Sequence, residues 1–170
     1  MSASPAGESR STGALIVIVG LVAFAVIALL GVLMALAIYG VRKYVTSAQL
    51  AEGRDAVTAI AQGIARCSTP RGYVPRSSTP IPVELALVSG RKYQSRAAEW
   101  SQEPFVCAAY TRSEPQYFQY QWLSEGEASG VARAEADLNG DGRAEIRLEM
   151  DVVCGPSGCL AAREVREIVH

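Results

Sequence analysis

Charge is missing from one long piece of this 170-residue chain. From Ala14 to Val41 it reads ALIVIVGLVAFAVIALLGVLMALAIYGV, 28 residues without Asp, Glu, Lys or Arg. Acid is absent over a longer interval still, between Glu8 and Glu52. Histidine is confined to His170, and lysine to Lys43 and Lys92. Each absence excludes something. A helix that is apolar all round lacks the polar face of a globular surface helix. A single histidine at the chain end is a poor catalytic base or ligand, because ends fray and hold no reacting geometry. With a formal net charge of −1 there is no clustered basic face, so no nucleic-acid partner is expected. No nucleophile elbow, phosphate loop or haem-attachment pattern occurs, and CGPSGC has four residues between its cysteines, not the two of a redox-active pair. An enzyme is not expected.

What is there begins with that apolar run. As a helix its 28 residues reach roughly 42 Å, enough to cross a hydrocarbon core of about 30 Å. The reading is a transmembrane helix over 14–41, preceded by a disordered tail over 1–13 rich in Ser, Gly and Ala. Ala35-Leu36-Ala37 mimics a signal-peptide cleavage site, but the apolar stretch before it is longer than a signal core, so a retained anchor is preferred. Gly31 and Ala35 have the small-xxx-small spacing that lets another membrane helix approach.

The charges flanking the span and the cysteines disagree about sidedness. Arg42-Lys43 follows the span, while Arg10 and the α-amino group stand against Glu8 before it, which by itself weakly places the larger segment in the cytoplasm. The four cysteines, Cys67, Cys107, Cys154 and Cys159, all lie in that segment, and an even number in a small domain points to an oxidising compartment. The preferred pairing is Cys154–Cys159, joined across the Gly-Pro-Ser-Gly turn, with Cys67–Cys107 as the remainder fastening a helix end to a strand. Zinc held by all four is a rival that the isolation of Cys67 and Cys107 disfavours. Free buried thiols are the other alternative.

Past the span, helix signals continue through 42–66 as an amphipathic continuation. Leu50, Val57, Ile60 and Ile64 recur on one face, and Gly53 falls on the same stripe as a notch for a close neighbour. Tyr44, Gln49, Glu52, Arg54 and Asp55 make the other faces polar. Then CSTPRGYVPRSSTPIP, with four prolines, reads as an irregular loop. VELALV reads as a short strand or turn. Beyond Gly90 the texture is β, in a disulfide-stapled globular domain over 67–170. PFVCAAY (Pro104 to Tyr110) and QYFQYQWL (Gln116 to Leu123) read as strands. VARAEA and RAEIRLEM alternate with period two, setting Ala132, Ala134 and Ala136 on one face and Ile146, Leu148 and Met150 on the matching one. Arg133 and Glu135 then oppose Glu145, Arg147 and Glu149, so opposite charges can pair across strands. The run Tyr117, Phe118, Tyr120 and Trp122 reads as core in preference to a ligand-stacking surface. LAAREVREIV fits either helix or edge strand. The fold class is α+β, a long N-terminal helix packed on a small antiparallel β-sheet.

This order of parts resembles the type IV pilins and pseudopilins. The stretch from Leu29 to Cys67 is similar to the pilin helix and its continuation. GRKYQS, EW, FVCAAY, EPQYFQYQW and ADLNGDG resemble, in order, segments of a subset of bacterial pilin-like proteins. The resemblance implies a single-pass protein of the bacterial inner membrane with its globular domain periplasmic or extracellular. It also implies a role in a type IV pilus or a type II secretion machine, alongside other pilin-like helices. A stand-alone anchored module that joins no filament is the alternative. Pilin precursors are cut after a glycine and carry a glutamate a few residues into the mature helix. Gly13-Ala14 is the plausible cut here, and Ile18 stands where the glutamate would fall.

ADLNGDGRAEIRLEM (Ala136 to Met150) adds one candidate site. Asp137, Asn139, Asp141, the Arg143 carbonyl and Glu145 match the first, third, fifth, seventh and ninth positions of a calcium loop, with Gly142 at the sixth. Leu148 occupies the twelfth, where the bidentate glutamate belongs, so a weak calcium site is the most to expect. Asn139-Gly140 is equally the turn of a β-hairpin.

Overall fold

The computed structural model describes residues 9–169, without the side chains of 9–14 and 41–43. The chain divides into two compact units, Met1–Ser47 and Ala48–His170. Helix α1 spans Ser9–Ser68 and contributes to both. It begins inside the expected tail, so residues 9–13 are helical; 1–8 lie outside the described residues.

Among the described side chains, α1 in the first unit is exposed on every face. Its large apolar side chains from Leu15 to Tyr39 are between 49% and 72% exposed, and the segment is long and apolar enough to cross a membrane. Gly31 and Ala35 are uncovered with the rest.

In the second unit the same helix buries one stripe. Val57, Ile60 and Ile64 are wholly buried, with Leu50 half-buried at the edge of the core. A Cβ on Gly53 would stand 2.7 Å from Leu148 Cδ1 and 2.9 Å from Phe118 Cζ, so the notch is filled by the sheet. The helix stops where Thr69 turns its hydroxyl back to the Ala65 carbonyl (2.8 Å) and Pro70 prevents another turn. The proline-rich stretch that follows has no helix, but it is not idle. It runs beside β1 (Gln119–Ser124), exchanging backbone hydrogen bonds between Ile81 and Tyr120 at 2.8 Å, and its Pro75 carbonyl accepts from the Trp122 indole at 2.9 Å. VELALV becomes a 3-10 turn over Leu85–Val88.

PFVCAAY is not a strand. Helix α2 spans Glu103–Ala108, with Pro104 in its first turn and Ala109 closing it in the left-handed region (φ 52°). Proline's fixed φ suits a first helical turn and it has no amide hydrogen for a ladder, and this outweighs the β preference of Phe105 and Val106. Pro104, Phe105 and Ala108 form the buried face. Cys107 therefore joins helix to helix: it pairs with Cys67 across a Cα–Cα distance of 5.6 Å. Gly63 makes that approach possible, since a Cβ there would stand 2.3 Å from the Ala108 carbonyl oxygen.

The sheet is antiparallel throughout. Its order is β1-β2-β3-β4, with β2 at Ser129–Ala136, β3 at Ile146–Gly155 and β4 at Gly158–Ala161. β5, Arg166–Val169, pairs with the first part of β3, on the edge that β4 uses further along, so the undecided C-terminal stretch is edge strand. Ala132, Ala134 and Ala136 stand opposite Met150, Leu148 and Ile146. Phe118, Tyr120 and Trp122 are wholly buried beside them, which makes the aromatic run core. On the outer face Arg133 meets Glu149 at 2.8 Å, Arg147 meets Glu135 at 2.6 Å, and Arg166 bridges Glu149 and Asp151. Cys154 and Cys159 face each other across the β3–β4 turn and form the second pair.

Candidate functional site

The loop between β2 and β3 collects every residue expected to bind metal, and its geometry is set by one carboxylate. Asp137 follows the last residue of β2 and is fully buried. Its Oδ1 accepts from the backbone N–H of Gly140 (2.7 Å) and Asp141 (3.2 Å). Its Oδ2 accepts from Gly142 N–H (2.8 Å) and from the Ser89 hydroxyl (2.5 Å). Burial alone would raise the Asp137 carboxyl. The Ser89 hydroxyl and the three backbone donors outweigh it and hold the group below the ordinary aspartate value.

The remaining candidates are tied locally. Asn139 Oδ1 accepts from Asp141 N–H at 2.8 Å, and Asp141 Oδ1 accepts from Arg143 N–H at 2.9 Å. Glu145 Oε2 accepts from Asn139 N–H at 3.3 Å. Gly140 and Gly142 take φ of 81° and 87°, which lets successive N–H groups converge on Asp137. A carboxylate offers about four lone-pair sites, and Asp137 fills that number with donors. A cation at the first calcium position would have to displace one of them. Among the described residues no group of three or more His, Cys, Asp or Glu side chains converges as a metal site.

No family model, curated protein or solved structure matches the chain.

Sequence reasoning missed a second polar centre. Glu52, on the amphipathic part of α1, accepts from Tyr117 N–H (2.9 Å) and from the Tyr120 hydroxyl (3.4 Å), and pairs with Arg112 at 3.5 Å. Burial pushes the Tyr120 hydroxyl well up, so it stays a protonated donor to Glu52 at neutral pH, and burial also raises the Tyr110 hydroxyl beside Arg112. The cluster ties the helix to the strand before it does any chemistry. Its one signal in the sequence was a glutamate beside the apolar stripe, and nothing local to Arg112 points to it. One surface depression, of about 590 Å³, lies between Tyr73–Arg76 and Gly126-Glu127. In its lining, Ser124 Oγ donates to the Gly126 carbonyl at 2.6 Å and closes a turn. His170 lies outside the described residues.

Proposed function

We propose that this is a membrane-anchored, pilin-like structural protein, a subunit or accessory component of a type IV pilus or a type II secretion system. Its apolar helix segment resides in the bacterial inner membrane and its globular unit is periplasmic or extracellular. The observation that carries the reading is the change of character within α1: uniformly uncovered apolar surface up to Tyr39, then a single buried stripe under an antiparallel sheet. Two cysteine pairs at disulfide distance support an oxidising compartment for that sheet. The polar centres described above serve the scaffold, which favours a structural over a catalytic role.

A stand-alone anchored module is the second reading, and Ile18 favours it. In a processed pilin the glutamate at that place neutralises the amino terminus of a neighbouring subunit, and without it a charge in lipid is left unpaired. N-terminal sequencing of the protein extracted from membranes separates the two. A terminus at Ala14 supports a processed subunit; an intact Met1 or Ser2 terminus removes it and leaves the stand-alone module.

For the Asp137–Glu145 loop we propose at most weak calcium binding, through Asp141, Asn139, Glu145 and the Arg143 carbonyl, with Asp137 holding the loop. Calorimetry with calcium on the detergent-solubilised chain and its Asp141→Ala variant tests it, and absence of heat from the unmodified chain ends the claim.

A further inference from the structure

Asn139-Gly140 has a chemistry of its own. In an unfolded chain the backbone nitrogen of such a glycine attacks the Cγ of the preceding asparagine, because no Cβ obstructs the approach and the backbone turns freely. The N–Cγ bond forms and the Cγ–Nδ2 bond breaks. The proton from the backbone nitrogen departs with the side-chain nitrogen as ammonia. Water then opens the succinimide ring at either carbonyl, giving aspartate or its isomer with the backbone routed through the side chain. Cyclisation needs a nitrogen that can release its proton and an amide carbon free to swing toward it.

Both are restrained here. Gly140 N–H donates to the Asp137 carboxylate at 2.7 Å, so negative charge developing on that nitrogen would face a buried anion with little water between them. The Asn139 amide is held at both ends, Oδ1 by Asp141 N–H at 2.8 Å and Nδ2 against Asp141 Oδ2 at 3.3 Å. Asn139 itself is exposed, so the water needed for ring opening is at hand. We propose that Asn139-Gly140 is a self-modification site which the Asp137 carboxylate keeps closed, and which opens when that carboxylate is lost or the loop unfolds. Conversion adds negative charge beside Asp137, Asp141 and Glu145, and the isomeric product carries an extra backbone carbon. The turn that joins β2 to β3 does not survive either change intact.

The test follows ammonia release and peptide mass mapping at residue 139 in the full chain, solubilised in detergent at mildly alkaline pH. The native chain is expected to convert about tenfold more slowly than the same chain in guanidinium, the effect of one hydrogen bond to a charged group. Asp137→Asn converts at close to the denatured rate without guanidinium. Ser89→Ala, which frees one side of the carboxylate, falls between. Native conversion as fast as denatured overturns the proposal, as does an Asp137→Asn chain that folds and converts no faster than the native one. If Asp137→Asn does not fold, judged by loss of the near-ultraviolet signal of Trp100 and Trp122, Ser89→Ala decides. Acceleration there supports the closed site, and an unchanged rate overturns it.

Discussion

Two stretches of α1 share a backbone conformation and have opposite surroundings. From Leu15 to Tyr39 apolar side chains occupy every face and all of the large ones are exposed. From Leu50 to Ile64 the large apolar residues keep to one face, and Val57, Ile60 and Ile64 are wholly buried. Burying each of those three contributes about 1.5–3 kcal/mol, so the second stretch is held by its own protein. The first gains nothing of the kind and depends on what the chain meets outside itself. Helix propensity does not distinguish the two stretches; the period of the apolar residues does.

Charge substitution breaks the comparison most sharply. Ile60→Asp places an unpaired carboxylate in the core and is expected to cost more than about 4 kcal/mol, unfolding the globular unit in a urea titration read by tryptophan fluorescence. Ile27→Asp leaves that titration unchanged. It is expected to weaken membrane insertion by about 2.5–3.5 kcal/mol, read by carbonate extraction of membranes. Equal effects of the two variants on the urea midpoint would mean that the stretches are not independent. Glycine gives the next contrast. At Gly63 a Cβ meets the Ala108 backbone, which is pinned by the neighbouring Cys67–Cys107 pair, so Gly63→Ala is expected to lose about 1–3 kcal/mol. At Gly31 nothing lies within 4 Å, and Gly31→Ala leaves the globular unit's stability unchanged.

The same contrast explains what was legible in the sequence. Periodicity gave the helix, its buried stripe and its end, because Val57, Ile60 and Ile64 and the prolines after Ser68 are local signals. Period-two alternation gave the faces of β2 and β3 and the possibility of charge pairs between them, since both strands expose one face and bury the other; the register that sets Arg133 opposite Glu149 is not encoded in that alternation. α2 was misread because Phe105 and Val106 suit a strand; Pro104, which suits a first helical turn and has no amide hydrogen for a ladder, was the local signal against one, and the disulfide and the packing at Gly63 reinforce the helix. Within the loop, the spacing Asp137, Asn139, Asp141 showed oxygen atoms. It did not show that Ser89, 48 residues away, would take one side of Asp137. Such a contact depends on the path of the chain between the two elements, which no local pattern encodes.

Asp137 makes the comparison pH-dependent. Its carboxyl is lowered in the folded chain, so the stability it contributes is present above its unfolded value of about 3.9 and is lost as pH falls through the folded value. Asp137→Asn is expected to cost about 1–3 kcal/mol at pH 7, and the gap between variant and native chain narrows on acidification below that window. A gap independent of pH would mean that hydrogen-bond geometry, and not charge, is what the loop needs. No carboxylate lies between Leu15 and Tyr39, so acid has nothing to titrate there.

The smallest effect is expected on the outer face of the sheet. Arg166 reaches Glu149 at 3.3 Å and Asp151 at 2.9 Å, but its side chain is 57% exposed, and an exposed pair returns little once ordering and salt screening are counted. Arg166→Ala is expected to change stability by no more than about 1 kcal/mol, with the difference vanishing at high salt. Glu149 is the member to watch, because it is buried and also holds Arg133 at 2.8 Å. If Arg166→Ala costs as much as Gly63→Ala, the pairs act as one network and the outer face is a second source of cohesion beside the stripe on α1. If it costs little, the helix stripe and the disulfide-clasped helix pair hold the unit, and the charges serve to keep the strands in register.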